Sequence, residues 1–283
     1  MTAGEAIRAA AERLSAISDT ARLDAEVLMA HAFGVSRSDL FLRHMRDPEP
    51  AGFAALVERR AASEPVAYIV GKQDFFGLTL AVSPAVLIPR GDSEVLVEAA
   101  LAARPNAKRV LDCGTGSGAL LLAVLANLPR AIGIGIDRSP EALAVARGNA
   151  ETTGLADRAE MRMADWDQAD LSAGLGHFDL ILANPPYVEE TAELAPSVRA
   201  YEPAGALFAG IEGLDAYRVL LPQLPDLLAP DGAALIEIGH TQAEPVAAIA
   251  RGAGFECRLH QDLGGRPRVL ELQIPLGKPG ASA

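Results

Sequence analysis

Cysteine, lysine and long apolar runs are scarce in this sequence. The two cysteines, Cys113 and Cys257, lie far apart and match no metal-ligand spacing. Because they form no disulfide framework, the chain fits a reducing, intracellular setting. No segment approaches the roughly 18–20 apolar residues that a membrane-spanning helix needs. Glu5 and Glu12 interrupt the N-terminal segment, so we do not interpret it as a signal peptide. We expect a cytoplasmic protein that does not enter a membrane.

Positive charge is also in short supply. The chain has 25 Lys and Arg residues, three of them Lys, against 37 Asp and Glu residues, and its formal net charge is −12. A surface this acidic repels a phosphate backbone unless its basic residues gather on one face. We find no arginine stripe with interleaved aromatic residues. Nucleic acid is therefore an unfavoured partner. The five histidines are scattered, so we predict neither a metal site nor a histidine base.

The abundant residues are small and aliphatic, and their pattern divides the chain into regions. Half of the residues are hydrophobic, many of them Ala, Leu or Val, which suits helices packed on a parallel sheet. Residues 1–70 show helical periodicity and predict a small all-α N-terminal domain, with Gly34 as a C-cap and Ser36 or Ser38 as the next N-cap. Aromatic and β-branched residues predict a β-hairpin connector over 71–91. The composition of 276–283 predicts a flexible tail.

Residues 92–275 alternate between predicted strands and helices. Strands are predicted over 109–112, 131–137, 159–164, 178–183, 233–238, 255–259 and 268–274, and helices over 118–128, 140–152, 213–228 and 244–251. Ser139 and Pro140 are typical of a helix start, as cap and first helical residue. This alternation predicts a doubly wound α/β domain with a Rossmann-like sheet. The segment 188–213 has no clear periodicity, and we interpret it as a lid or part of a substrate groove.

A glycine-rich turn, Asp112-Cys113-Gly114-Thr115-Gly116-Ser117-Gly118, follows the first strand of this domain. Glycines there allow the backbone to approach a ligand at the N-terminus of the next helix. Taken alone, the turn could bind a dinucleotide or simply be a tight connection. Asp112 favours S-adenosylmethionine, because a carboxylate beside the glycines suits a sulfonium and an ammonium group and would oppose a diphosphate.

Acidic residues also follow the next two strands. Asp137 lies about 20 residues beyond the glycine-rich turn, where a carboxylate can accept both ribose hydroxyls of a nucleoside. It could equally be a surface residue before a helix. Asp165 can accept from an adenine amino group. Trp166, the only tryptophan, can lie against the adenine ring or merely fill the core. We predict that these residues and the glycine-rich turn bind S-adenosylmethionine.

Asn184-Pro185-Pro186-Tyr187 directly follows the apolar segment 178–183. Ligands of doubly wound sheets bind beyond the carboxyl ends of the strands, and consecutive prolines stiffen a loop and donate no backbone hydrogen bond. The Asn184 side-chain oxygen and the Pro185 carbonyl can accept both N–H protons of a planar amide or amino group, and Tyr187 can stack on that group. We predict that these four residues are catalytic, because they position a poor nitrogen nucleophile at a methyl group. Asn184 is also expected to touch the cofactor.

These motifs resemble those of the bacterial protein-glutamine N5-methyltransferases of the HemK/PrmC family, which modify the Gln of the Gly-Gly-Gln motif in class I peptide-release factors. The resemblance covers nearly the whole chain. Its most specific segments are 64–71 and Leu87-Ile88-Pro89-Arg90, because general methyltransferases lack them. Residues 23–28, Tyr201-Glu202-Pro203 and Glu237-Ile238-Gly239 also fit the family.

The resemblance implies a class I methyltransferase sheet, S-adenosyl-L-methionine as cofactor and a class I peptide chain release factor as protein substrate. It implies that 114–118 is the methionine-binding loop, Asp137 the ribose ligand, Trp166 the adenine contact and 184–187 the substrate-amide clamp. The helical N-terminal domain is the expected docking surface. The chain departs from the family at Gly91-Asp92-Ser93-Glu94, where a proline, an acidic or similar residue and Thr-Glu are usual, and at Cys113, where an aliphatic residue is usual.

Three other functions fit parts of the pattern. Adenine-N6 methylation of nucleic acid would use a similar clamp but usually needs a basic region to hold the strand, whereas residues 1–80 carry nine Arg or Lys against eleven Asp or Glu. Glutamine methylation of a ribosomal protein remains open within the family. A catalytically silent nucleoside-binding or adaptor protein would have the cofactor site without the 184–187 loop.

Overall fold

The chain divides into two compact units. The computed structural model describes residues 1–168, 171–172 and 174–275, so the tail predicted over 276–283 lies outside the described residues. The first unit comprises Met1–Lys72 and Leu194–Tyr201, and the second comprises Gln73–Glu193 and Glu202–Ala283.

The first unit is helical. Its elements are α1 (Ala3–Leu14), α2 (Ala21–Phe33), α3 (Arg37–Asp39) with a π-helical turn (Leu40–His44), α4 (Phe53–Ala61), α5 (Val66–Val70) and α9 (Pro196–Tyr201). Gly34 ends α2 in the left-handed conformation and Ser36 caps α3, as predicted. The Tyr201 hydroxyl donates to the Ala62 carbonyl at 2.9 Å, which attaches α9 to this helical unit although it is distant in sequence.

The second unit contains a seven-stranded sheet. Its strands are β3 (Arg109–Cys113), β4 (Ile132–Asp137), β5 (Ala159–Met163), β6 (Phe178–Ala183), β7 (Leu228–Glu237), β8 (Glu256–Gln261) and β9 (Pro267–Gln273). The spatial order is β5-β4-β3-β6-β7-β9-β8. The first five strands of this order pair in parallel, whereas β9 is antiparallel to both of its neighbours. Successive strands are therefore added on one side of β3 up to β5 and on the other side from β6 onward. Such folds bind ligands at this switch point, between β3 and β6. This confirms the predicted doubly wound α/β fold.

Helices cover both faces of the sheet. They are α6 (Glu94–Ala103), α7 (Ala119–Asn127), α8 (Pro140–Thr152), α10 (Asp215–Leu220) and α11 (Ala243–Gly252). Alternate strand residues face opposite cores, so that Val110 packs with α6, α7 and α8, whereas Leu111 packs with α10 and α11. The helix α8 begins with Ser139 as cap and Pro140 in its first turn, as predicted.

A β-hairpin precedes this sheet, as predicted, and is formed by β1 (Lys72–Phe75) and β2 (Leu78–Ala81). Its two-residue loop is Phe76-Gly77, and both residues have positive φ, which matches the twist of the flanking strands. The Glu94 carboxylate accepts from the Phe76 backbone N–H at 2.9 Å and so holds this strained turn.

The helix predicted over 213–228 is partly wrong. The α-helix α10 ends at Leu220 and is followed by a 3₁₀ turn, Leu221–Asp226, which contains Pro222 and Pro225. Proline removes a backbone donor and clashes with the preceding turn, so an α-helix cannot continue through this segment. The strand predicted from residue 233 begins earlier, at Leu228.

Candidate active site

The glycine-rich turn connects β3 to α7 at the carboxyl edge of the sheet. Gly114, Gly116 and Gly118 all have positive φ, a conformation that residues with side chains rarely adopt. At Gly114 an added Cβ would lie 2.8 Å from the Trp166 ring. The sequence therefore needs glycine at Gly114 both for the backbone conformation and for the close approach of Trp166.

Asp112 lies beneath this turn. Its Oδ2 accepts from the Thr115 hydroxyl at 2.7 Å, whereas its buried Oδ1 has no hydrogen-bond partner among the described residues. Burial raises the pKa of Asp112 to about 7, although the Thr115 hydrogen bond opposes the shift. The carboxyl is only 1% exposed, and it does not line the cavity that the glycine-rich turn borders.

Asp137 ends β4 and lines the cavity. Its Oδ2 accepts from the Gly116 backbone N–H and its Oδ1 from the Ser139 backbone N–H, each at 2.9 Å. Each carboxylate oxygen has a second lone pair, so the group can still accept from a ligand. This one side chain holds both the glycine-rich turn and the start of α8.

The cavity has a volume of about 440 Å³, which is within the range of small-molecule sites. Of the predicted site residues, those that line it are Gly114, Thr115, Gly116, Ser117, Asp137, Asp165, Trp166, Asn184 and Pro186. Asp112, Gly118, Pro185 and Tyr187 do not line it. The structure therefore brings the glycine-rich turn, the two acidic strand ends and the first residue of the predicted clamp to one cavity.

Two segments that the sequence did not assign to the site form further walls of this cavity. Phe75 of the hairpin and Leu87 line it. The buried Asn149 side chain pairs with the backbone N–H and carbonyl of Ala81 and donates to the Ser117 carbonyl at 2.9 Å. Asn149 thereby fixes the hairpin against the glycine-rich turn.

The segment 203–210 also lines the cavity and is anchored by charged residues. Glu202 is buried and accepts from the Arg90 guanidinium at 2.8 Å and from the Ile88 backbone N–H at 3.2 Å. Arg138 donates to the Gly205 carbonyl at 3.2 Å and lies 3.6 Å from the Asp167 carboxylate. These contacts join the segments 88–90 and 202–205 directly. Residues 88–90 and 202–203 belong to the motifs that resemble the family.

Asn184-Pro185-Pro186-Tyr187 leaves the carboxyl end of β6. The Asn184 Nδ2 donates to the Ser93 hydroxyl at 3.4 Å. At the other end of this loop, the Tyr187 hydroxyl lies 3.5 Å from the Glu237 Oε1, and the Tyr187 carbonyl accepts from Gln242 at 3.1 Å. Burial, with a smaller contribution from the Glu237 charge, raises the pKa of Tyr187 to about 12, so this phenol stays protonated at neutral pH.

Ser93, Glu237 and Gln242 were not predicted as site residues. Glu237 is the last residue of β7 and could have been found from the rule that ligands bind beyond the carboxyl ends of parallel strands. Ser93 and Gln242 carry no such signal, because only tertiary packing brings them to the 184–187 loop.

Among the described residues, no group of three His, Cys, Asp or Glu could hold a metal ion. None of the helices in the described ranges is long and apolar enough to cross a membrane.

Comparisons with known proteins agree on both parts of the chain. The sequence matches the family described as PrmC N-terminal domain over residues 5–71 and the family described as Methyltransferase domain over residues 105–250. A release factor glutamine methyltransferase of Cereibacter sphaeroides is 44% identical, and the alignment covers 97% of this chain and 99% of the relative. A second release factor glutamine methyltransferase, of Caulobacter vibrioides, is 42% identical, and the alignment covers 99% of this chain and 99% of the relative. The catalytic domain of hMettl16, solved in complex with MAT2A 3'UTR hairpin 6, shares the fold at 14% identity, with a TM-score of 0.54 over 82% of this chain and 84% of that chain.

Proposed function

We propose, from the premise that this chain belongs to the release factor glutamine methyltransferase family, that it methylates the side-chain nitrogen of the glutamine in the Gly-Gly-Gln motif of a class I peptide chain release factor. The chain is an S-adenosylmethionine-dependent methyltransferase. The observation that carries the proposal is that Asn184, the first residue of the predicted amide clamp, lines the same cavity as the glycine-rich turn.

The residues of this cavity suit S-adenosylmethionine. The glycines let the backbone approach the ligand closely, and Asp112 supports the turn from beneath by accepting from the Thr115 hydroxyl. Asp137 would hold the ribose hydroxyls, while Asp165 and Trp166 would hold the adenine amino group and ring. When bound, the cofactor supplies an electrophilic methyl group on a sulfonium.

The 184–187 loop would position the substrate amide. The Asn184 Oδ1 and the Pro185 carbonyl would accept the two N–H protons of the glutamine side chain, while Pro186 keeps the loop rigid and Tyr187 flanks the planar group. An amide nitrogen is a weak nucleophile because its lone pair is delocalised, so alignment and removal of water contribute most of the acceleration. The two acceptors would hold the nitrogen in place while it receives the methyl group and loses one of its two N–H protons.

Residues 1–70 would form the docking surface for the release factor, and residues 92–275 would carry the catalytic site. This role for the helical part is supported by the match to PrmC N-terminal domain over residues 5–71. A cytoplasmic location follows from such a substrate, because release factors act in translation.

The alternative substrates receive less support. Relatives between 42% and 44% identical over nearly the whole chain are named for release factors, and not for ribosomal proteins or nucleic acid. The net charge of −12 also opposes a nucleic-acid strand.

The test is methyl transfer from radiolabelled S-adenosylmethionine, with class I release factor, unmethylated ribosomal proteins and duplex DNA in separate reactions. We expect label on the release factor alone. A release factor whose Gly-Gly-Gln glutamine is replaced by asparagine is the matched control, since it keeps the amide but shortens its reach, and it should remain unlabelled. Label on ribosomal protein or DNA without label on the release factor would overturn the proposal.

A further inference from the structure

We propose that Ser93 and Glu237 are positioning residues that orient the Asn184 amide, so that its oxygen and not its nitrogen faces the substrate. This inference rests on the proposed function, because it concerns how the same clamp accepts a glutamine N–H. Ser93 lines the cavity and contacts Asn184, whereas Glu237 does not line it.

The contact between Asn184 and Ser93 defines which end of the amide is fixed. An asparagine side chain has a donor end and an acceptor end that differ by a half-turn about the terminal bond. The Nδ2 donates to the Ser93 hydroxyl at 3.4 Å, and Ser93 is only 5% exposed. With the donor end held in this buried contact, the Oδ1 is left to accept from the glutamine.

The Ser93 hydroxyl can accept from Asn184 only if its own proton is directed elsewhere, and Glu237 provides that acceptor. Ser93 forms a hydrogen bond with the Glu237 carboxyl that lowers the pKa of that carboxyl. Glu237 is only 4% exposed, and its Oε2 has no hydrogen-bond partner in the part of the chain that the structure describes. Donors and acceptors therefore run in one direction, from the Asn184 amide through the Ser93 hydroxyl to an ionised carboxylate.

The same carboxyl also receives the other end of the clamp loop. The Tyr187 hydroxyl lies 3.5 Å from Oε1, so both ends of the 184–187 loop act on Glu237. A buried carboxyl without a full set of partners is costly to the folded state. At this position the Glu237 carboxyl is one fixed acceptor, and it sets the direction of the hydrogen bonds from both Ser93 and Tyr187.

Protonation of Glu237 would remove that direction. A protonated carboxyl can donate to Ser93, which then turns its own proton toward Asn184 and favours the opposite orientation of the amide. Burial raises the pKa of Glu237 to about 7, and Asp92 adds to this effect while Ser93, Arg268 and Tyr187 oppose it. Arg268 is shared with Asp92 at 2.7 Å and Asp262 at 2.9 Å, and the Tyr217 hydroxyl donates to the Glu237 backbone carbonyl at 2.9 Å.

The position of Ser93 also explains what the unusual segment Gly91-Asp92-Ser93-Glu94 retains. Serine and threonine both carry the hydroxyl that can accept from Asn184 and donate to Glu237. Asp92 pairs with Arg268, while Glu94 holds the Phe76 backbone N–H. The departure from the usual proline therefore leaves the hydroxyl in place.

The experiment measures kcat and KM for the release factor across the pH range on both sides of 7, together with S-adenosylmethionine affinity by calorimetry. The variants are Ser93→Ala, Ser93→Thr and Glu237→Gln in the full-length protein. Glu271→Gln is the matched control, because Glu271 is an equally buried carboxyl on β9 that pairs with His260 instead.

We expect wild-type kcat to rise with pH through an apparent pKa near 7, as Glu237 ionises. Glu237→Gln should abolish this dependence, whereas Glu271→Gln should retain it. Ser93→Ala should lower kcat at least about tenfold with unchanged cofactor affinity, since small misplacement of a reacting group has effects of that size or larger. Ser93→Thr should keep a kcat close to that of the wild type, because threonine retains the hydroxyl.

An unchanged pH profile in Glu237→Gln, or full kcat in Ser93→Ala, would overturn this inference while wild-type labelling of the release factor leaves the proposed function intact. If Ser93→Ala does not fold, the comparison of the two Glu→Gln variants still decides. A wild-type protein that fails to label the release factor would instead overturn the proposed function.

Discussion

Replacing Gly114 with alanine should weaken S-adenosylmethionine binding, because the added Cβ has no room. It would lie 2.8 Å from Cη2 and 3.1 Å from Cζ3 of Trp166, which belong to a rigid ring. The φ of Gly114 is 74°, and a left-handed backbone costs a residue with a side chain about 1–2 kcal/mol. Relief of either strain moves the turn or the Trp166 ring, and both line the cavity.

The backbone cost alone sets the minimum size of the effect. If about 1–2 kcal/mol appears as lost binding free energy, affinity falls roughly 5- to 30-fold, since about 1.4 kcal/mol corresponds to tenfold. The dissociation constant is measured by titration calorimetry. The control is Gly148→Ala within α8, where an added Cβ meets nothing within 4 Å and alanine favours the helix. Equal cofactor affinity in Gly114→Ala and Gly148→Ala would refute the reasoning.

Three further substitutions test other parts of the site. Asn184→Ala should leave S-adenosylmethionine affinity largely intact but reduce kcat by orders of magnitude, because it removes an acceptor for the substrate amide; near-normal turnover would exclude the clamp. Asp137→Ala should weaken cofactor binding at least about tenfold, because it removes the expected ribose acceptor and also releases the Gly116 N–H; unchanged affinity in a titration would argue against both roles. Burial raises the pKa of Asp112 from 3.8 in the unfolded chain to about 7 in the folded protein. Between these two pH values the folded protein holds a proton that the unfolded chain releases. Asp112 therefore destabilises the fold increasingly as the pH rises from 3.8 to about 7. The unfolding free energy of Asp112→Asn minus that of wild type, from urea titrations without cofactor, should therefore increase from pH 3.8 to about 7 and then level off, whereas a difference independent of pH would contradict this pKa.

Local patterns were sufficient to predict the elements that position the site. The strand 178–183 and the helix 140–152 were predicted with the bounds that the structure has. An apolar run bounded by Asn184, and a serine followed by proline before a helical pattern, are signals contained within a few residues. The placement of Gly114 and Asp137 at one cavity followed from a general rule, since parallel strands end at the same edge of a sheet.

Other features depend on contacts that no local pattern contains. Pro222 and Pro225 end the predicted 213–228 helix early, and that error could have been avoided by giving proline more weight than apolar periodicity. The burial of Asp112 beneath the turn could not have been predicted, because the sequence shows that an acidic residue ends the strand but not which way its side chain points. The contact between Ser93 and Asn184 spans 91 residues and arises only when the sheet has formed.

The central claim is that the 184–187 loop presents a glutamine side-chain nitrogen to the methyl group. Its most direct test is tandem mass spectrometry of a class I release factor methylated by the wild-type protein and, in parallel, by Asn184→Ala. The account predicts a single methyl group on the side-chain nitrogen of the Gly-Gly-Gln glutamine with the wild-type protein, and almost none with the variant. A methyl group on another residue, or equal modification by the two proteins, would contradict it.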